Sequence, residues 1–158
     1  MAKKRIKVAS AKAKGRALQQ WVAKQISDLT GFYYGTDQPI ESRPMGQSGT
    51  DIRLEEQVLK QFPYSVECKA QESWAIHKWI EQAKTNRIPN TTWLLFAKRK
   101  RNRPVVILDA EVFFSILNSK RQIIIDKELY TKRILRKAKK LVKEEEKKKR
   151  VKKFRRSL

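Results

Sequence analysis

Between residues 16 and 29 the large apolar side chains fall at Leu18, Trp21, Val22, Ile26 and Leu29, at steps of three and four, which predicts one apolar face of a helix. Gly31 follows where such a helix needs a residue free to leave the helical conformation. Phe32 to Gly35 reads as a short strand, and Gln38 to Gly49, with Pro39, Pro44, Gly46 and Gly49, reads as a loop that excludes a central strand or a helix. Asp51 to Leu54 and Tyr64 to Lys69 alternate polar and apolar residues, as half-buried strands do. Glu55 to Phe62, between them, fits either a hairpin connection or a short helix. A second helix is expected from about Trp74 to Arg87, with Ile76, Trp79, Ile80 and Ala83 on one side. Thr91 to Ala97 and Pro104 to Leu108 are unbroken apolar runs of strand length, the pattern of strands covered on both faces. Asp109 stands where it can cap a short helix from Ala110 to Leu117. Helix, strands, helix, two strands and helix make an α/β sandwich with a mixed sheet.

The two ends follow a different pattern. Residues 1–14 are basic with small residues between the charges and no apolar period, and read as a flexible arm. Past Asp126 the composition shifts again: residues 127–158 hold sixteen Lys and Arg against four Glu, +12 of the chain's +22. Tyr130, Ile134, Ala138 and Leu141 keep a helical spacing, so this part begins as a basic amphipathic helix, and beyond Glu144 the stripe fades into a tail that needs a partner to order it. The expected organisation is an arm over 1–14, one α/β domain over 15–125 and a basic helical extension over 126–158, within the 158 residues that suit a single domain.

A charge of +22, from 38 Lys and Arg against 16 Asp and Glu, attracts polyanions, and nucleic acid is the commonest of these. A membrane surface is the rival, but no apolar run approaches the roughly 20 residues of a spanning helix, and Met1 to Lys14 lacks the apolar stretch of a secretory signal. The expected setting is the cytosol or nucleoid. With one cysteine, Cys68, and one histidine, His77, the chain cannot build a Cys/His zinc site, so a metal would be held by oxygen, which favours Mg²⁺ with Mn²⁺ as a substitute.

Oxygen donors are available in the strand YSVECKAQ. Alternation turns Val66 and Cys68 to one face and Ser65, Glu67 and Lys69 to the other, with Glu67 and Lys69 about 7 Å apart along the strand. In SGTDIRL, Ile52 and Leu54 face the core, which leaves Asp51 and Arg53 opposite. If the two strands are neighbours, Asp51 and Glu67 converge. Two carboxylates with a lysine suit phosphodiester hydrolysis: the acids hold a divalent cation, and the lysine orients water or stabilises developing charge. The competing reading is a solvated strand face.

SRPMGQSGTDIRL followed by FPYSVECKAQ resembles the motif of the PD-(D/E)XK nuclease superfamily, an acidic residue opening one strand and E-x-K in the next, across a hairpin. A helix before the motif and a Gln-bearing helix after it agree with that superfamily's core. The nearest likeness is to archaeal-type and phage Holliday junction resolvases, over about Lys12 to Leu117. The resemblance implies a restriction-endonuclease-like α/β core with a mixed central sheet flanked by helices, a Mg²⁺-dependent DNA endonuclease and a homodimer that resolves branched DNA in recombination and repair. Asp51 and Glu67 match its metal ligands, and Lys69 its catalytic lysine. Thr50 stands where the motif's name has Pro. In GRALQQWV, Gln19 occupies the place of a glutamate ligand and offers a weaker, neutral amide oxygen. Gln82 in WIEQAKTNR matches a Gln that relatives carry near the lysine, and is otherwise an exposed helix amide.

Other candidates belong to binding. Arg43 and the loop serines Ser42 and Ser48 are candidate contacts to the scissile phosphate, although serine in such a loop is commonly a turn residue. Trp74, close to Lys69, is a candidate for stacking on bases, whereas Trp79 fits the core. Lys98, Arg99, Lys100, Arg101 and Arg103 form a basic turn, either a solubilising tip or a set of phosphate contacts. His77 reads as a surface residue and Cys68 as packing. The alternatives to a resolvase-like enzyme are a nicking or repair endonuclease on the same fold and a non-catalytic basic nucleic-acid-binding protein.

Overall fold

A computed structural model of the chain describes residues 8–44 and 46–155. The elements in chain order are α1 (Val8–Thr30), β1 (Ile40–Ser42), β2 (Ile52–Leu54), α2 (Glu56–Leu59), β3 (Tyr64–Ala70), α3 (Ile76–Thr85), β4 (Thr92–Lys98), β5 (Val105–Ile107) and α4 (Ala110–Arg155). They fall into two compact units, residues 1–109 and 110–158.

The first unit is an α/β layer structure. β3 and β4 run parallel through seven paired residues, from Tyr64 opposite Thr92 to Ala70 opposite Lys98, and β5 closes the sheet antiparallel to β4. This mixed sheet is flanked by helices, as a restriction-endonuclease-like core requires. The alternation of β4 explains the two cores. Leu94 packs with Val66 and Cys68 of β3 and with Leu18, Val22, Ala23 and Ile26 of α1, while Trp93, Leu95 and Ala97 pack with Trp79 and Ala83 of α3. Both faces of β4 are thereby buried, which is why its sequence is an unbroken apolar run. Fully burying a side chain such as Val66 or Leu95 contributes about 2 kcal/mol.

Several expectations need correction. α1 begins at Val8, inside the segment read as an arm, because the small residues among its lysines are mostly alanines, the strongest helix formers; residues 1–7 of that arm lie outside the described residues. Leu29 is 73% exposed and Trp21 45% exposed, so the buried stripe of α1 is Leu18, Val22 and Ile26 with Gln19 and Ala23 beside it. Gly31, at φ +78°, ends the helix as expected. Phe32 to Gly35 forms only a single bridge, Tyr34 to Ile40, and a three-residue strand instead begins after Pro39, in the segment read as loop. β2 pairs with β1, where Arg53 lies opposite Glu41 and donates to it at 2.8 Å, so Asp51 and the E-x-K strand are not the two arms of one hairpin. The undecided segment contains the short helix α2. β5 is exposed rather than covered on both faces.

The second unit is one helix. It continues past Leu117, where a short helix was expected to stop, as far as Arg155, crossing the expected boundary at 125. No Gly or Pro follows Pro104 to break it. Many of its apolar side chains, among them Phe113, Phe114, Ile123, Ile124 and Leu129, are exposed. No helix among the described residues is long and apolar enough to cross a membrane.

Candidate active site

β3 carries the centre of the site. Its edge away from β4 is met by the residue that opens β2: the Asp51 N–H donates to the Val66 carbonyl at 2.9 Å, and the Asp51 Oδ2 accepts the Cys68 N–H at 2.7 Å. Asp51 therefore completes two ladder-like hydrogen bonds along β3 without a strand pairing. Thr50, at the position before it, is buried and donates its hydroxyl to the Ile52 carbonyl at 3.0 Å, which fixes the turn into β2. The Arg43 N–H donates to the Asp51 carbonyl at 2.9 Å and closes the loop on the other side.

Glu67 is 2% exposed, an unusual position for a carboxylate, and both its oxygens are engaged. Oε1 accepts from Lys69 Nζ at 2.7 Å and Oε2 from Asn86 Nδ2 at 3.2 Å. The lysine also donates to Gln82 Oε1 at 2.8 Å, so α3 and the residue that caps its end hold the E-x-K pair. Gln82 and Asn86 are four residues apart, one helical turn, and reach the same strand. Asn86 was not singled out from sequence; the signal that points to it is that same spacing from Gln82. The Ser65 hydroxyl fixes the loop after α3. It accepts the Ile88 N–H at 2.9 Å and lies 2.6 Å from the Thr91 hydroxyl, a buried network that sets where Asn86 stands.

Burial first, and then the nearby negative charge of Glu67, raises the Asp51 carboxyl from 3.8 to about 6; the Cys68 amide, Lys69 and Gln19 act in the other direction. Gln19 of α1 is 3% exposed, and its Oε1 has no hydrogen-bond partner among the described residues. Leaving an amide oxygen buried without a partner costs about 1–3 kcal/mol. Two repelling carboxylates beside an orphaned amide oxygen are an all-oxygen donor set that suits a hard divalent cation, which would relieve both costs. Among the described residues no three Asp, Glu, His or Cys side chains cluster as metal ligands, so Gln19 would have to supply the third side-chain oxygen. The Cys68 thiol, buried and raised well above its ordinary range by that burial, is inert packing, as expected.

Of the remaining expected residues, Arg43 donates to the Ser48 carbonyl at 2.7 Å, so it braces its own loop. Its guanidinium also lies 2.9 Å from where a Cβ on Gly49 would stand, and the φ of +96° at Gly49 favours glycine there. Ser48 is exposed, whereas the Ser42 hydroxyl lies 3.3 Å from the Tyr34 hydroxyl and is half-buried. Trp74 is partly exposed and tilts against the buried Trp79, ring centres 6.2 Å apart. It borders a cavity of about 650 Å³ together with Arg99 and Arg103. Lys100 and Arg101 form the tip of the turn between β4 and β5, with Arg101 at φ +64°. His77 is exposed on α3.

No curated protein and no solved structure matches the chain. A family model described as "Phage putative PDDEXK endonuclease" matches residues 10–152, a span that takes in α1, the Asp51 turn, the E-x-K strand, α3 and most of α4. The chain belongs to that family, a nuclease family of the PD-(D/E)XK superfamily, whose members generally use divalent metal ions.

Proposed function

We propose that this protein is a Mg²⁺-dependent DNA endonuclease, with Mn²⁺ able to substitute, that selects branched DNA in the manner of a Holliday junction resolvase. The observation that carries this reading is that Asp51, bonded to the Cys68 amide of β3, lies near enough to the Glu67–Lys69 pair to feel both charges, with the buried side chain of Gln19 against it. Asp51, Glu67 and Gln19 would hold the cation. When bound, it supplies Lewis acidity at the scissile phosphate and makes water a competent nucleophile near neutral pH.

The chain's own residues supply the rest. Lys69 has three N–H donors, of which one goes to Glu67 and one to Gln82. The third, which has no acceptor among the described residues, would meet the attacking water or a phosphate oxygen, and because Gln82 and Glu67 fix the ammonium beforehand, little reorganisation is needed as charge develops. Asn86 would hold Glu67 in place through its Oε2. Ser48, Arg43 and the turn residues Lys98, Arg99, Lys100, Arg101 and Arg103 would take flanking phosphates, and Trp74 would stack on a base. Such contacts provide affinity without sequence preference.

Cutting two strands of a junction symmetrically calls for two copies of the site, so a homodimer is part of the proposal. The exposed apolar residues of α4 support it, since a monomer rarely leaves so many uncovered. The place of action would be the cytoplasm or nucleoid, that of the host if the chain is phage-encoded. The test is cleavage of four-way, flapped and linear DNA with and without Mg²⁺: cutting of a branched form in preference to linear duplex supports the reading, and Mg²⁺-independent or absent cutting overturns it.

A further inference from the structure

Trp21, 45% exposed on the flank of the buried stripe of α1, leads to a second site through the side chains gathered around it. Trp21 lines a cavity of about 430 Å³ formed between α1 and the turn that joins β4 to β5. Its floor is apolar, from Leu18 of α1 and Ala70 at the end of β3. Its rim is basic: Lys14, Lys98, Arg99, Lys100 and Arg101 face a single carboxylate, Glu72. That carboxylate is structural, lying 3.7 Å from Lys14 Nζ and accepting the Lys100 N–H at 3.2 Å, so it holds α1 and the turn in place around the opening.

Resting on the reading of the chain as a DNA endonuclease, we infer that this cavity receives an unpaired nucleotide of the substrate, its base stacked on Trp21 and its flanking phosphates on Lys14 and Arg99. The volume falls in the range of small-ligand clefts, about 300–1,000 Å³. An apolar floor with an aromatic wall suits the faces of a base, and a cationic rim suits its phosphates. A paired base, held inside the stack, cannot enter. The cavity and the proposed cleavage site are built on the same two elements: Ala70 follows Lys69 on β3, and Leu18 precedes Gln19 on α1. Arg99 also borders the neighbouring cavity that holds Trp74, which continues a cationic path for the strand. Selection for branched or frayed DNA then comes from the unpaired nucleotide beside the scissile bond.

The full chain, in chelator so that no cutting occurs, is titrated with a short duplex carrying a single-stranded flap and with the same duplex fully paired. The wild type should prefer the flapped form. Trp21→Ala should lower affinity for the flap roughly tenfold, the loss of one stacked base, while leaving the paired duplex within about twofold, and Trp21→Phe should keep the preference. Equal weakening of both forms by Trp21→Ala would mean that the cavity carries backbone contacts only, and unchanged affinity for both would mean that it carries no nucleotide; either overturns the inference. Because binding is read without metal, these outcomes are distinct from a failure of the cleavage proposal.

Discussion

Asp51 is the residue whose chemistry the fold alters most, and it makes the metal-free protein pH-sensitive in a stated direction. A carboxyl raised from 3.8 to about 6 favours folding in its protonated form, so that contribution is complete below about pH 4 and lost as pH rises through about 6. At 1.36 kcal/mol per unit, a shift of about two units corresponds to about 3 kcal/mol. Thermal melting in chelator should therefore show the wild type losing stability relative to Asp51→Asn between about pH 4 and 7; parallel profiles for the two proteins would contradict the burial argument. Adding Mg²⁺ at neutral pH should stabilise the wild type, by about 2.7 kcal/mol at a hundred times the dissociation constant, and so raise its midpoint, while leaving that of Asp51→Asn where it was. Gln19→Glu, which replaces the orphaned amide oxygen with a carboxylate, should lower the Mg²⁺ concentration at which cleavage saturates. An unchanged titration would place Gln19 outside the metal's reach. Strand alternation and the resemblance both pointed to Asp51, Glu67 and Lys69, and the resemblance alone to Gln82, which the fold brings to Lys69. Neither could make Asn86 legible, because its role depends on where α3 crosses β3, a tertiary fact.

At the scale of elements, the site depends on how α3 and its following loop are pinned to β3. Asn86→Ala removes the hydrogen bond to Glu67 Oε2 without touching the other ligands. Turnover should fall about tenfold to a hundredfold, the usual cost of losing a group that orients a ligand, with DNA affinity little changed. A variant that cuts at the wild-type rate would show that Glu67 needs no such support. The elements themselves were readable where the period was strong: the middle of α1 and all of α3 lie within the segments their patterns indicated, and β3 and β4 overrun theirs by one residue, Ala70 and Lys98. What misled was pattern without its neighbour. β1 hid in a Pro- and Gly-rich segment because a three-residue edge strand has no period to show. β5 looked buried because three aliphatic residues in a row resemble a core strand, although β5 lies at the sheet edge. Trp21 and Leu29 met the helical spacing, yet Leu29 is in the last turn and Trp21 on the flank of the buried stripe, and spacing alone does not record where the opposing sheet ends.

For the whole molecule, both apolar cores close within residues 1–109, and the basic excess is concentrated in the C-terminal half of α4 and beyond. Truncation after Asp126 should accordingly leave the thermal midpoint of the first unit unchanged while reducing the salt dependence of DNA binding, each lost phosphate contact removing roughly 0.9 from the slope of log affinity against log salt. A large fall in the midpoint with an unaltered slope would assign the segment to folding rather than to DNA. The central claim is that Asp51, Glu67 and Lys69 perform phosphodiester hydrolysis while the surrounding charge supplies affinity. The most direct test measures Mg²⁺-dependent cleavage and binding of the same branched DNA by the wild type and by Asp51→Asn, Glu67→Gln and Lys69→Ala. The account predicts that each substitution lowers the cleavage rate at least about a hundredfold, on the scale of losing one charge-stabilising group from an active site, while binding persists within a few-fold. Cleavage near the wild-type rate by any one of the three would contradict it.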